Sequence, residues 1–153
     1  MKRQIFAISG GGFSNEENSP LDQYLVELVP KETVNICFIP TASQDAAGYI
    51  EKFYKAFPHE HTSHITIEQM QKQDMTQFLL QQHIVYVGGG VTKNMLTIWR
   101  DTKFDRWIEN YPDLKALHFV NEQLVKYVMW NRSSPRKNIR PLRLLALFFD
   151  LLA

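Results

Sequence analysis

Residues 83–100, HIVYVGGGVTKNMLTIWR, decide how the rest of the chain is read. The apolar run at 84–87 fits a buried strand. Gly88, Gly89 and Gly90 follow at once, and Thr92 is placed to cap a helix whose apolar face is Met95, Leu96, Ile98 and Trp99. A strand–glycine–helix unit of this kind presents unobstructed backbone N–H groups at a helix N-terminus, where negative charge is stabilised. That charge is either a bound anion or one that develops during a reaction. On local sequence alone, the triplet reads equally well as a tight turn and as an anion cradle.

Working back towards the N-terminus, the same unit recurs. Residues 4–9 read as a first strand, followed by Gly10, Gly11 and Gly12. Ser19-Pro20-Leu21-Asp22 is a helix start, with a capping hydroxyl, a first-turn proline and a first-turn acid. Leu21, Tyr24, Leu25 and Leu28 then recur at the spacing of one helix face. Residues 34–39 read as a second strand, closed by Pro40-Thr41-Ala42-Ser43. A second amphipathic helix carries Ile50, Phe53, Tyr54 and Phe57 and stops at Pro58. Residues 62–67 read as a third strand. Residues 74–80 read as a short helix with Phe78 and Leu79 inward.

Four strand–helix alternations predict an α/β fold: a three-layer sandwich with a mainly parallel sheet, flavodoxin-like in winding. Ligands in such folds sit outside the carboxyl ends of the strands. The marked strand ends supply the candidate contacts Gly11, Gly12, Thr41, Ser43 and Thr92 beside the loop Gly88, Gly89 and Gly90. Each has a plainer reading. Gly10 to Gly12 also make a tight strand-to-loop turn, and Thr41 and Ser43 also serve as turn and cap residues.

Composition bounds the function. At 153 residues, with 44% hydrophobic residues and a net charge of +1, the chain has the size of about one domain and no bulk electrostatic partner. Cys37 is the single cysteine, so an internal disulfide and a cysteine-based zinc cluster are excluded. Its apolar setting suits a buried thiol rather than a nucleophile. His59, His61 and His64 lie close together without an acidic partner at fixed spacing, so no metal and no cofactor is expected. Tyr24, Tyr54 and Trp99 are read as core rather than ligand contacts. No signal peptide and no membrane span are read, which makes a cytoplasmic location the expectation.

The chain changes character after Arg100. All seven glycines precede position 91. From Lys115 on there are seven basic and two acidic residues, a net +5, so the preceding part is about −4. Phe104, Trp107 and Ile108 form one more helix face, ending near Pro112. Residues 114–120 are the nearest candidate for a fifth strand and suit a helix as well. Residues 133–137 read as a basic linker, solvated rather than a nucleic-acid arm, and residues 142–152 as an apolar tail that covers exposed surface or promotes self-association. The expected division is an incomplete α/β domain over 1–112 and a divergent segment over 113–153.

Four segments, ISGGGFSNEENSPLDQYLVEL, ICFIPTASQDAAGYIEKFYKAF, IVYVGGGVTKNMLTIWRD and KFDRWIE, resemble the peptidase E family, serine peptidases of the S51 type, over roughly residues 1–108. The resemblance implies a fold similar to the class I glutamine amidotransferase-like sandwich. It also implies a hydrolase acting on short peptides with N-terminal aspartate. In that family a serine on a sharp strand–helix turn attacks the carbonyl, a later histidine is the base, and the glycine loop helps hold the oxyanion. By position, the last role falls on Gly88, Gly89 and Gly90.

Two departures accompany the resemblance. The family usually has asparagine after the triplet, where this chain has Val91. The nucleophile turn needs G-x-S-x-G or a small-residue variant, and no glycine follows Gly90. Ser133 and Ser134 are the only later serines, and His118, the only later histidine, precedes both. No catalytic nucleophile is identifiable. The expectation is a truncated or frameshifted pseudoenzyme whose partner is a short peptide or small anionic ligand, with no nucleic acid and no membrane. The alternative is a non-catalytic α/β module binding a small anion at the strand ends.

Overall fold

The computed structural model describes residues 3–9, 12–15, 19–109, 119–120, 123–124 and 143–149. In chain order it runs β1 (Arg3–Ser9), α1 (Pro20–Glu27), β2 (Asn35–Ile39), a 3-10 turn (Thr41–Ser43), α2 (Ala47–Ala56) and β3 (His61–His64). Then come α3 (Ile67–Lys72), α4 (Thr76–Leu80), β4 (Ile84–Val87), α5 (Thr92–Asp101) and α6 (Phe104–Glu109). Beyond these lie β5 (Phe119–Val120) and β6 (Gln123–Leu124), an antiparallel pair, and β7 (Arg143–Phe149). The sheet order is β1-β7-β4-β2-β3, and every neighbouring pair is parallel. Gly10, Gly11, His118, Ser133 and Ser134 lie outside the described residues, as do most of 113–142.

The period of two along β2 and β4 divides the core into layers. Ile36, Phe38, Ile84 and Tyr86 face one side, where Leu25 of α1 and Phe53 of α2 cover them. Cys37, Ile39, Val85 and Val87 face the other, under Met70, Leu79, Met95, Trp99 and Phe104 from the helices α3 to α6. The chain is therefore an α/β sandwich with helices on both faces of a parallel sheet. Phe13, just after β1, packs into the first layer with its ring 5.1–6.3 Å from those of Phe38, Tyr49, Phe53, Phe57 and Tyr86.

Several elements depart from the sequence reading, each for a local reason. The third strand ends at His64, because Thr66 opens α3 with a capping box: its hydroxyl accepts from the Gln69 N–H while the Gln69 side chain accepts from the Thr66 N–H. The T-x-x-Q signature at 66–69 was there to find, but the apolar Ile65 and Ile67 drew the strand past it. In α5, Val91 occupies the N-cap position and Thr92 is the first helical residue, so Thr92 does not cap. The buried face of α1 is rotated from the expected one. Leu21 and Tyr24 are exposed, while Asp22, Leu25 and Val29 are buried. These three also follow helical spacing, but a carboxylate at the first position hides the pattern.

The apolar run near the C-terminus is not a simple tail. RLLALFF at 143–149 forms β7, which pairs with β1 on one side and β4 on the other. A near-continuous apolar run suits a strand covered on both faces.

Candidate active-site edge

The carboxyl ends of β2 and β4 meet at one edge of the sheet. After β2, Pro40 opens the 3-10 turn, with the Ser43 N–H and hydroxyl both donating to the Pro40 carbonyl, at 2.9 and 2.8 Å. Gln44 and Asp45 continue it with φ of 56° and 55°, a left-handed pair that only a braced turn holds. The brace is Asp45, whose Oδ2 accepts from the Ile67 N–H at 2.6 Å and ties the turn to the start of α3. Burial pushes the Asp45 carboxyl above its ordinary range, against the pull of the Ile67 N–H and of His64.

Apart from that of Gly90, the N–H groups from Gly88 to Val91 have definite destinations. Gly88 donates to the Ile39 carbonyl at 3.0 Å and so extends the β2–β4 ladder by one step. Gly89 donates to the Tyr49 hydroxyl at 3.3 Å. Val91 donates to the Ala42 carbonyl at 2.8 Å. Among the described residues nothing accepts from the Gly90 N–H, and Gly90 is exposed just before the N-cap of α5.

Two of the glycines are required by close approach. Gly90 has a φ of +141°, and a Cβ there would lie 2.3 Å from the Ala42 carbonyl oxygen. A Cβ on Gly88 would lie 2.8 Å from the Phe38 ring and 3.0 Å from that of Tyr49. The loop is thus pressed onto the 3-10 turn and onto the aromatic layer. Gly12 has a φ of 75° at the turn that delivers Phe13 to that layer.

The remaining sequence candidates divide by burial. Thr41 is fully buried and accepts from the Trp99 indole N–H at 3.2 Å, a bond that locks α5 onto the 3-10 turn. Ser43 is half-buried and held by Pro40, while Thr92 is partly exposed beside Gly90. Cys37 is fully buried, and burial pushes its thiol up to about 12, so it is a core thiol and no nucleophile. Trp99 is core, as expected, but Tyr54 is exposed, and its hydroxyl lies 2.7 Å from His64 Nδ1. His61 faces Asn35 instead, so the neighbouring histidines serve different partners.

Sequence reading missed a buried polar pair at this end of the sheet. Tyr86 of β4 donates its hydroxyl to Asp22 Oδ1 of α1 at 3.2 Å. Among the described residues, Asp22 Oδ2 is buried with no hydrogen-bond partner. Burial pushes the Asp22 carboxyl up to about 6, although the Tyr86 hydroxyl and the Phe13 N–H both favour its ionised form. Tyr86 is raised in turn, by burial first and then by the Asp22 charge. A tyrosine in the middle of an apolar strand was the only available signal.

A doubly wound α/β sandwich with its loops at the carboxyl edge of the sheet is the class that fold and edge define. The family model of peptidase family S51 matches residues 5–111, and the chain belongs to that family. An uncharacterized peptidase of Bacillus subtilis (strain 168), YgaJ, is 41% identical over 106 residues, which cover 67% of this chain and 46% of the relative. The chain thus spans about half the length of the curated relative it matches. Among the described residues, no helix is long and apolar enough to cross a membrane, and no three His, Cys, Asp or Glu side chains are grouped to hold a metal ion.

Proposed function

We propose that residues 5–111 form the oxyanion side of a serine-type peptidase site for short peptides with N-terminal aspartate, and that this chain alone does not hydrolyse them. The observation that carries this reading is the Gly90 N–H at the carboxyl edge of the sheet, which donates to no acceptor among the described residues. A fixed N–H beside a helix N-terminus suits a developing oxyanion, because its dipole needs no reorientation when the charge forms. Gly89 is the second donor in reach, once an oxyanion replaces the Tyr49 hydroxyl as its acceptor.

The expectation of inactivity comes from the residues after 111, where the family match ends. They contain no glycine and therefore no G-x-S-x-G turn, and His118 precedes Ser133 and Ser134 rather than following them. A cytoplasmic location belongs to the same proposal. Hydrolysis of aspartyl dipeptides and labelling by a fluorophosphonate test it. Background turnover and no labelling are expected; turnover with stoichiometric labelling of a serine overturns the claim of inactivity. A second reading, a module that binds a small anion without catalysis, is favoured by the same N–H. Thermal stabilisation of the chain by an aspartyl peptide without its hydrolysis supports that reading.

A further inference from the structure

A cleft of about 460 Å³ lies between the α3–α4 turn and the α5–α6 corner. It is at the far end of α5 from the glycine loop, about 15 Å of helix away. Its apolar wall is the rim of the second core layer, where the edges of Met75 and Phe104 reach the cleft with Leu79 buried behind them. Its rim carries three cations, Lys72, Lys103 and Arg106. Lys72 pairs with Glu68 one turn away on an exposed helix face. Lys103 and Arg106 make no ion pair among the described residues. Asp74 is the one acid on the rim, and its Oδ1 is taken by the N–H and hydroxyl of Thr76, at 2.8 and 2.5 Å.

The backbone at the rim holds one of those cations in an unfavourable conformation. Lys103 follows the last turn of α5 with a φ of +61°, a left-handed position that glycine normally fills at a helix end. A non-glycine residue there is strained. The neighbouring Thr102 fixes the corner, its hydroxyl donating to the Ile98 and Trp99 carbonyls at 2.8 and 3.3 Å.

We infer that this cleft is a binding site for a small organic anion, with an apolar body against the exposed edges of Met75 and Phe104 and its charged head between Lys103 and Arg106. The volume is that of a small-molecule pocket. The methionine and phenylalanine wall adapts to aliphatic or aromatic bodies. Guanidinium and ammonium together suit a carboxylate or a phosphate head. The site is independent of the strand-end loops and of any peptidase activity.

The test is titration of the full chain with octanoate and with octyl phosphate, followed by backbone amide resonances. Both ligands are expected to shift amides at 70–76 and 102–106, with octanol and inorganic phosphate about tenfold weaker, since each lacks one half of the recognition. Lys103→Gly is the decisive variant. It relieves the left-handed strain and removes a cation, so thermal stability is expected to rise while octanoate affinity falls about tenfold. Arg106→Gln is expected to lower affinity similarly with little change in stability. Octanol binding as tightly as octanoate, shifts confined to other residues, or full affinity in the Lys103→Gly chain overturns the assignment.

Discussion

The Tyr86 hydroxyl donates to Asp22 Oδ1 across 3.2 Å, joining the middle of the sheet to the first turn of α1. The bond satisfies one carboxyl oxygen, and among the described residues Oδ2 is buried without a partner. Its environment disfavours the charged form more than the bond favours it, and the carboxyl is pushed up to about 6.

That shift sets a pH dependence. The folded chain holds the Asp22 proton more tightly than an unfolded chain, whose ordinary value is 3.8. The stability this proton contributes is full below 3.8 and is lost as pH rises through about 6. The loss amounts to about 3 kcal/mol by the usual conversion. Asp22→Asn is expected to flatten the dependence between pH 4 and 7 and to raise the urea midpoint at pH 7.5. Tyr86→Phe is expected to raise the folded value further and to extend the loss to higher pH. An unchanged pH profile in Asp22→Asn would show that the carboxyl is not desolvated as described.

Gly90 and Gly48 make a contrasting pair. Gly90→Ala meets the Ala42 carbonyl oxygen at 2.3 Å with φ at +141° and is expected to cost about 2–4 kcal/mol in urea unfolding. Gly48, in the first turn of α2, has nothing within 4 Å of an added Cβ. Gly48→Ala is expected to stabilise by about 0.5 kcal/mol. Equal effects at the two sites would refute the close approach of the loops.

Val91 stands at the N-cap of α5 with no side-chain bond to the first turn and is 54% exposed. Its φ and ψ of −80° and 92° are those of a capping residue. Val91→Asn supplies the missing acceptor and is expected to raise stability by about 1 kcal/mol. No gain in thermal midpoint would mean that another group already caps this helix.

Thr41 offers its hydroxyl to the Trp99 indole in a fully buried contact. Thr41→Val keeps the shape and removes the acceptor, so the indole N–H is left unsatisfied at a cost of about 1–3 kcal/mol. Thr41→Ser keeps the acceptor and is expected to retain most of that stability. A Thr41→Val chain as stable as the parent would show that the indole finds another partner.

Apolar periodicity made the alternation of strands and helices readable, because burial on a sheet or helix face imposes a fixed spacing on side chains. It failed where a polar residue takes a buried position. Asp22 on α1 misdirected the choice of helix face, and Thr66 cut short a strand that its apolar neighbours extended. The strand-end glycines stood out in the sequence, but the destination of each N–H did not. Gly88, Gly89 and Val91 donate to Ile39, Tyr49 and Ala42, and all these acceptors lie more than 35 residues away along the chain.

By itself the sequence determined the α/β class, the peptidase S51 kinship and the absence of a G-x-S-x-G turn after Gly90, since these rest on local patterns and residue identities. The tertiary structure decided where the N–H groups of Gly88, Gly89 and Val91 donate, which face of α1 is buried, and that β7 lies between β1 and β4. The reason is physical. Hydrogen-bond partners and desolvation are set by groups remote in sequence, and no spacing along one segment encodes what a distant segment brings against it.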